Sequence, residues 1–226
     1  MKTILTTVLM VIMASMMAFS GCATTEQVRS VEPSGFLGNY SQLKPGEKNE
    51  ALLYWINPDM DFKSYDKIVI DPVTIWRNDN SDIGELPPEE QKNLQHYLYL
   101  AVKEALAKDY EIVETPEFGT MRIRMALTEA QGSTVAGDII TTYLPPAILI
   151  NAVKRLSTGT SAFVGKAAVE LEIVDIVTNR RMAAAVDKRS GGKHYEGSTN
   201  TWADVEQAAD YWAERLRLRL EELRNM

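Results

Sequence analysis

Residues 163–189, "FVGKAAVELEIVDIVTNRRMAAAVDKR", decide the fold. Phe163 to Val177 is a long run of apolar and β-branched residues with the alternation of a strand. Thr178-Asn179-Arg180 reads as a turn, and "RMAAAVDKR" (181–189) returns as the partner of a hairpin. Glu170 and Glu172 alternate with Val169 and Leu171. They are expected on a solvated strand face, within reach of Arg122 and Arg124 across the sheet.

Working outward, "GTMRIRMALTEA" (119–130) is a further strand, with Met121, Ile123, Met125 and Leu127 on one face and Arg122, Arg124 and Ala126 on the other. "YDKIVIDPVTIW" (65–76) and "YEIVE" (110–114) complete a set of about five strands. Pro87-Pro88-Glu89-Glu90 opens a helix, because proline suits the first turn and carboxylates suit the positive end of the helix dipole. Leu94, Tyr97, Leu98, Ala101, Val102, Ala105 and Leu106 give it one apolar face, ending near Asp109. Thr201 with Asp204 resembles a capping box for a second helix, whose buried stripe is Val205, Ala208, Ala209, Trp212, Leu216, Leu220 and Leu223. The predicted class is α+β: an antiparallel or mixed sheet with two long helices on one face.

One stretch does not fit that plan. "GDIITTYLPPAILINAVKRLSTGTS" (137–161) is as apolar as a core helix but lies between two strands. Its Pro145-Pro146 pair and its length make it too short and too broken for a membrane span. Two readings stay open. It is a third apolar helix packed on the sheet, or an exposed element that meets membrane or partner through Ile139, Ile140, Tyr143, Leu144, Ile148 and Leu149.

The N-terminus states an address. Lys2 precedes an apolar run, Ile4 to Phe19, and then Phe19-Ser20-Gly21-Cys22, which holds the only cysteine. A basic start, an apolar stretch and small residues before a cleavage point make a secretory signal. The last four residues resemble a bacterial lipobox, with Phe19 where Leu is usual. Cys22 is then the lipidated residue, and a disulfide within the chain has no second cysteine. Ala23, rather than Asp, after the cysteine points to the outer membrane, on its periplasmic face. The expected organisation is a signal at 1–21, a lipidated tether at 22–50 and a single periplasmic domain at 51–226. The formal net charge is −7 and becomes one unit more negative once Lys2 is removed. This acidity argues against nucleic acid as a partner.

A catalytic set is hard to assemble. His96 falls mid-helix beside the apolar face, and His194 lies in the glycine-rich loop "GGKHYEGS". No HExxH, GxSxG, SxxK or CxxC motif occurs, and Asp79-Asn80-Ser81-Asp82 lacks the spacing of a calcium loop. The expectation is no enzyme, no cofactor and no metal.

"SGFLGNYSQLKPG" (34–46), "YDKIVIDPV" (65–73), "RIRMALTEA" (122–130), "TGTSAFVGKAAVELEIVD" (158–175), "AAAVDKR" (183–189) and "WADVEQAADYWAERLRLRL" (202–220) together resemble the bacterial lipoprotein family of domain of unknown function 3313. The resemblance implies an envelope lipoprotein and carries over no functional residue. More loosely, the element order is similar to periplasmic domains of the curli-secretion lipoprotein and penicillin-binding-protein activator type, which bind partners or form rings. The expected function is a non-enzymatic outer-membrane lipoprotein, held in the membrane by its N-terminal lipid, that binds an envelope partner. The alternatives are an oligomeric ring or pore assembly, by self-association, and a small-ligand carrier.

Overall fold

The computed structural model describes residues 25–77, 81–132, 165–191 and 201–226. Among these, nine strands form one mixed sheet. Its centre is β7 (Thr120–Gln131), β8 (Lys166–Asp175) and β9 (Arg181–Gly191), an antiparallel meander. β4 (Lys67–Ile70) runs parallel to β7 and to the short β6 (Glu111–Ile112). β5 (Thr74–Ile75) continues along the same edge of β7. Pro72 separates β4 from β5, because it has no N–H to give the ladder. On the other side β3 (Leu53–Ile56) pairs with β9 and carries β2 (Lys44–Pro45). β1 (Thr25–Gln27) pairs with the end of β9.

The expected hairpin is present. Asn179 takes φ 53° in its turn, a left-handed conformation that asparagine tolerates. The Asp175 carboxylate closes the turn by accepting from the Thr178 N–H and hydroxyl, each at 2.6 Å. Two helices, α1 (Pro88–Leu106) and α2 (Ala203–Asn225), cover one face. Their apolar stripes meet Met121, Ile123, Met125, Leu127 and Ile173, all nearly inaccessible. A register shift between Leu127 and Glu129 inserts one residue into β7, so Ala130 rather than Glu129 returns to this core.

Several expectations need correction. The sheet has nine strands rather than about five, because strands of two to four residues show no periodicity and exist through their partners. The third apolar helix falls outside the described residues. α2 begins at Ala203 with Trp202 at its N-cap, and no side chain makes the cap bond. Asp204 instead accepts from the Gly165 N–H at 2.8 Å. The stretch 22–50 is no free tether over its described part: residues 25–50 supply β1 and β2, and Thr25 and Leu37 are buried. Glu170 and Glu172 do not face solvent; they are 0% and 5% exposed.

Candidate functional site

Two features of the described residues bear on function: the strapped face of the sheet and the end from which the N-terminus leaves.

The face opposite the helices carries Arg122, Arg124, Glu170, Glu172, Ala184 and Val186, by strand register. A strap, residues 31–43, lies across it and packs Leu37 on Ala184 and Val186, with Val31, Phe36, Tyr40 and Leu43 around them. Glu170 is the anchor under the strap. Its carboxylate accepts from the Ser34 N–H at 2.6 Å, the Tyr40 hydroxyl at 2.5 Å and the Leu37 N–H at 3.4 Å. Burial, and then the bond to Glu170, pushes the Tyr40 hydroxyl above its ordinary value. Glu172 bridges Arg124 and Arg181, and Arg181 donates onward to the carbonyls of Leu37 at 2.6 Å and Asn39 at 2.8 Å. The Arg124 guanidinium lies 5.4 Å from the Phe36 ring, and Phe36 meets Trp76 edge to face at 5.5 Å. The Trp76 indole N–H in turn bonds the Ser34 carbonyl at 3.1 Å. Arg122 pairs with Asp71 rather than with either glutamate. These buried acids are therefore structural, each with its lone pairs taken by named donors.

At one end of the sheet, Thr25, Gln131, Lys166 and Gly191 lie together. Thr25 pairs with Gly191, Gln131 with Lys166, and Lys166 with Ser190. The Gly191 N–H bonds the Gly165 carbonyl at 2.9 Å. A Cβ on Gly191 would lie 2.2 Å from the Asp204 carboxyl carbon, and one on Gly132 would lie 2.5 Å from the Thr201 methyl, so the closeness here depends on glycine. The flanks of 133–164, the flanks of 192–200 and the start of the described chain thus share one end. Arg189 fastens that start. It donates to the Thr25 hydroxyl at 2.8 Å and carbonyl at 2.5 Å, with its guanidinium 3.6 Å from the Tyr211 ring.

Cys22, the lipobox residues Phe19, Ser20 and Gly21, and the proposed contact residues Ile139, Ile140, Tyr143, Leu144, Ile148 and Leu149 lie outside the described residues, as does His194. His96 is exposed on α1. Among the described residues no three His, Cys, Asp or Glu side chains group as metal ligands, and no helix is long and apolar enough to cross a membrane. The Glu172–Arg124 pair across the sheet is as expected, whereas the Glu170–strap network and the part of Arg181 escaped the sequence reading. The available signal was "SGFLGNY" itself, an apolar trio with two glycines in a stretch otherwise read as linker.

The fold is that of a sheet-and-two-helix α+β domain with a strapped second face. The family model for protein of unknown function DUF3313 matches residues 32–216, and the chain belongs to that family. It is 26% identical over 204 residues to the Uncharacterized lipoprotein YdcL of Escherichia coli K12, covering 88% of this chain and 89% of that protein. Among solved structures it is similar to the PelC dodecamer from Paraburkholderia phytofirmans, at 10% identity and TM-score 0.38, over 74% of this chain and 95% of that one. It is also similar to protein XCC0632 from Xanthomonas campestris, of family DUF330, at 12% identity and TM-score 0.40, over 74% and 91%.

Proposed function

We propose that the protein is a non-enzymatic outer-membrane lipoprotein, lipidated at Cys22, whose periplasmic domain binds an envelope protein through the segment 137–161. The observation that supports it is the convergence at one sheet end. Thr25 stands three residues after Cys22, and both flanks of 133–164 leave from beside it. A domain held by its N-terminus turns that end towards the bilayer, so an apolar segment leaving there acts close to the membrane. The related lipoprotein in Escherichia coli agrees with the lipobox reading of Phe19 to Cys22.

Photo-crosslinking residues placed at Tyr143 and Ile148 in cells test this. The expected result is one discrete protein adduct in the envelope, lost in a chain lacking residues 139–156. A ladder of adducts of the chain with itself would overturn partner binding and favour an assembly. Absence of any protein adduct, with the deleted chain unfolded, would make the segment core. Lipidation has its own test: Cys22→Ser should abolish incorporation of a labelled fatty acid and release the protein from the membrane fraction.

A further inference from the structure

A cavity of about 140 Å³ lies between α2 and the β3–β9–β8 side of the sheet. Its cause is legible residue by residue. Opposite Ile173 and Leu171 on β8, strand β9 presents Ala183 and Ala185, whose methyl groups leave open the volume that larger side chains would fill. Trp212, Leu216 and Leu220 of α2 form the roof, and Leu98 and Val102 of α1 close one side. An enclosed apolar cavity of about 150 Å³ takes a molecule the size of benzene, and this one is also open to solvent, which leaves room for a longer chain.

Three of the four charged residues around it are paired. Asp187 accepts from the Trp212 indole N–H at 2.8 Å, the Gln27 amide at 2.6 Å and the Leu52 N–H at 3.2 Å. Arg219 pairs with Glu222 at 2.8 Å and Glu50 at 3.5 Å, with Tyr54 beside it. Arg215 is the one charged residue of the lining left over: half-buried against the same cavity, its guanidinium makes no ion pair and no hydrogen bond among the described residues. An apolar void beside one uncompensated guanidinium matches a molecule with an alkyl tail and a single anionic end.

We infer that this cavity is a binding site for a single-chain alkyl anion, with the tail under α2 and the anionic group on Arg215. The site is lined by described residues, and its test does not depend on what 137–161 binds. The ligand class covers a free carboxylate and the phosphate end of a single-chain lipid, and the test separates them.

Octanoate, octyl phosphate and octanol are titrated calorimetrically into residues 22–226 carrying Cys22→Ser, which hold every described strand and helix. The expected result is saturable binding of an octyl anion. Arg215→Gln should weaken it about tenfold, the loss of one charge-assisted hydrogen bond, and leave octanol within twofold. Ala185→Leu should abolish binding of all three by filling the void. Tighter binding of octyl phosphate than of octanoate assigns the site to a phosphate-ended lipid, and the reverse to a free carboxylate. Should Ala185→Leu fail to fold, 8-bromooctanoate on the parent chain serves instead: it should quench tryptophan emission saturably, and octanoate should reverse the quenching. No saturable binding, anion binding indifferent to Arg215→Gln, or anion binding that survives in folded Ala185→Leu overturns the proposal.

Discussion

Glu170 is the residue on which the second face of the sheet turns. It has no exposed surface and three donors from a strap more than a hundred residues away in sequence. Removing its carboxylate leaves two backbone N–H groups and a hydroxyl facing an apolar gap, and each buried unsatisfied group costs about 1–3 kcal/mol. Glu170→Ala should therefore lower unfolding free energy by roughly 3 kcal/mol in urea titration. It should also make the chain near 34–40 newly sensitive to protease. Glu170→Gln keeps an acceptor and should lose less. A variant that is as stable and as protease-resistant as the parent would show that the strap is held without Glu170. The sequence reading put this glutamate outside for a sound local reason, since alternation with Val169 and Leu171 marks a second face. Alternation cannot say what lies on that face, and here the covering chain comes from residues without periodicity.

At the scale of elements, the strap depends on Gly35, which has φ 101°, a conformation that side chains rarely adopt. A Cβ there would meet only the Trp76 indole nitrogen at 3.8 Å, so space is available and the backbone is the obstacle. Gly35→Ala should cost about 1–2 kcal/mol by thermal or urea unfolding, while Ser41→Ala on the exposed side of the strap should be near neutral. The β8–β9 hairpin makes a second prediction. The Tyr65 hydroxyl donates to Asp175 at 2.8 Å, and burial together with that carboxylate pushes Tyr65 up to about 12. Tyr97 is pushed up to about 12 as well, by burial and by Asp210. Both favour the protonated phenol in the fold, so their contribution is complete below pH of about 10, where free tyrosine titrates. It is lost as pH rises from there through about 12. Ultraviolet titration should show late-ionising phenols, Tyr40 and Tyr110 being raised as well, with Tyr65→Phe and Tyr97→Phe each removing one. At the acid side, burial raises Asp175 but the bonds from Thr178 and Tyr65 outweigh it and hold it below its usual value. That contribution is present above the ordinary aspartate range and is lost as pH falls below it, so Asp175→Asn should flatten the acid limb of the stability profile.

The whole molecule has a direction. Thr25 and Gly191 mark one end of the sheet, and the exposed Phe118 and Val177 mark the other. The two are joined across β7 and β8, since the Ile176 N–H bonds the Thr120 carbonyl. If Cys22 carries the anchor, Phe118 and Val177 mark the end of the domain away from the membrane. Spin labels at Val177 and at Gln131 of the lipidated chain, in vesicles, should differ in contact with a lipid-borne quencher, Gln131 being the nearer. Equal depth, or the reverse order, would mean that the domain lies on its side or inverted.

Local pattern was enough for much of this. The β8–β9 hairpin and both helical stripes rest on spacing between near neighbours, which physics reads without the rest of the chain. The nine-stranded extent of the sheet, the burial of Glu170 and Glu172, the strap, the Asp204 contact with Gly165 and Gly191, and the void left by Ala183 and Ala185 were decided by tertiary structure alone. Each depends on which distant segment lands on a face, and a buried carboxylate or a missing methylene has meaning only once its neighbours are in place.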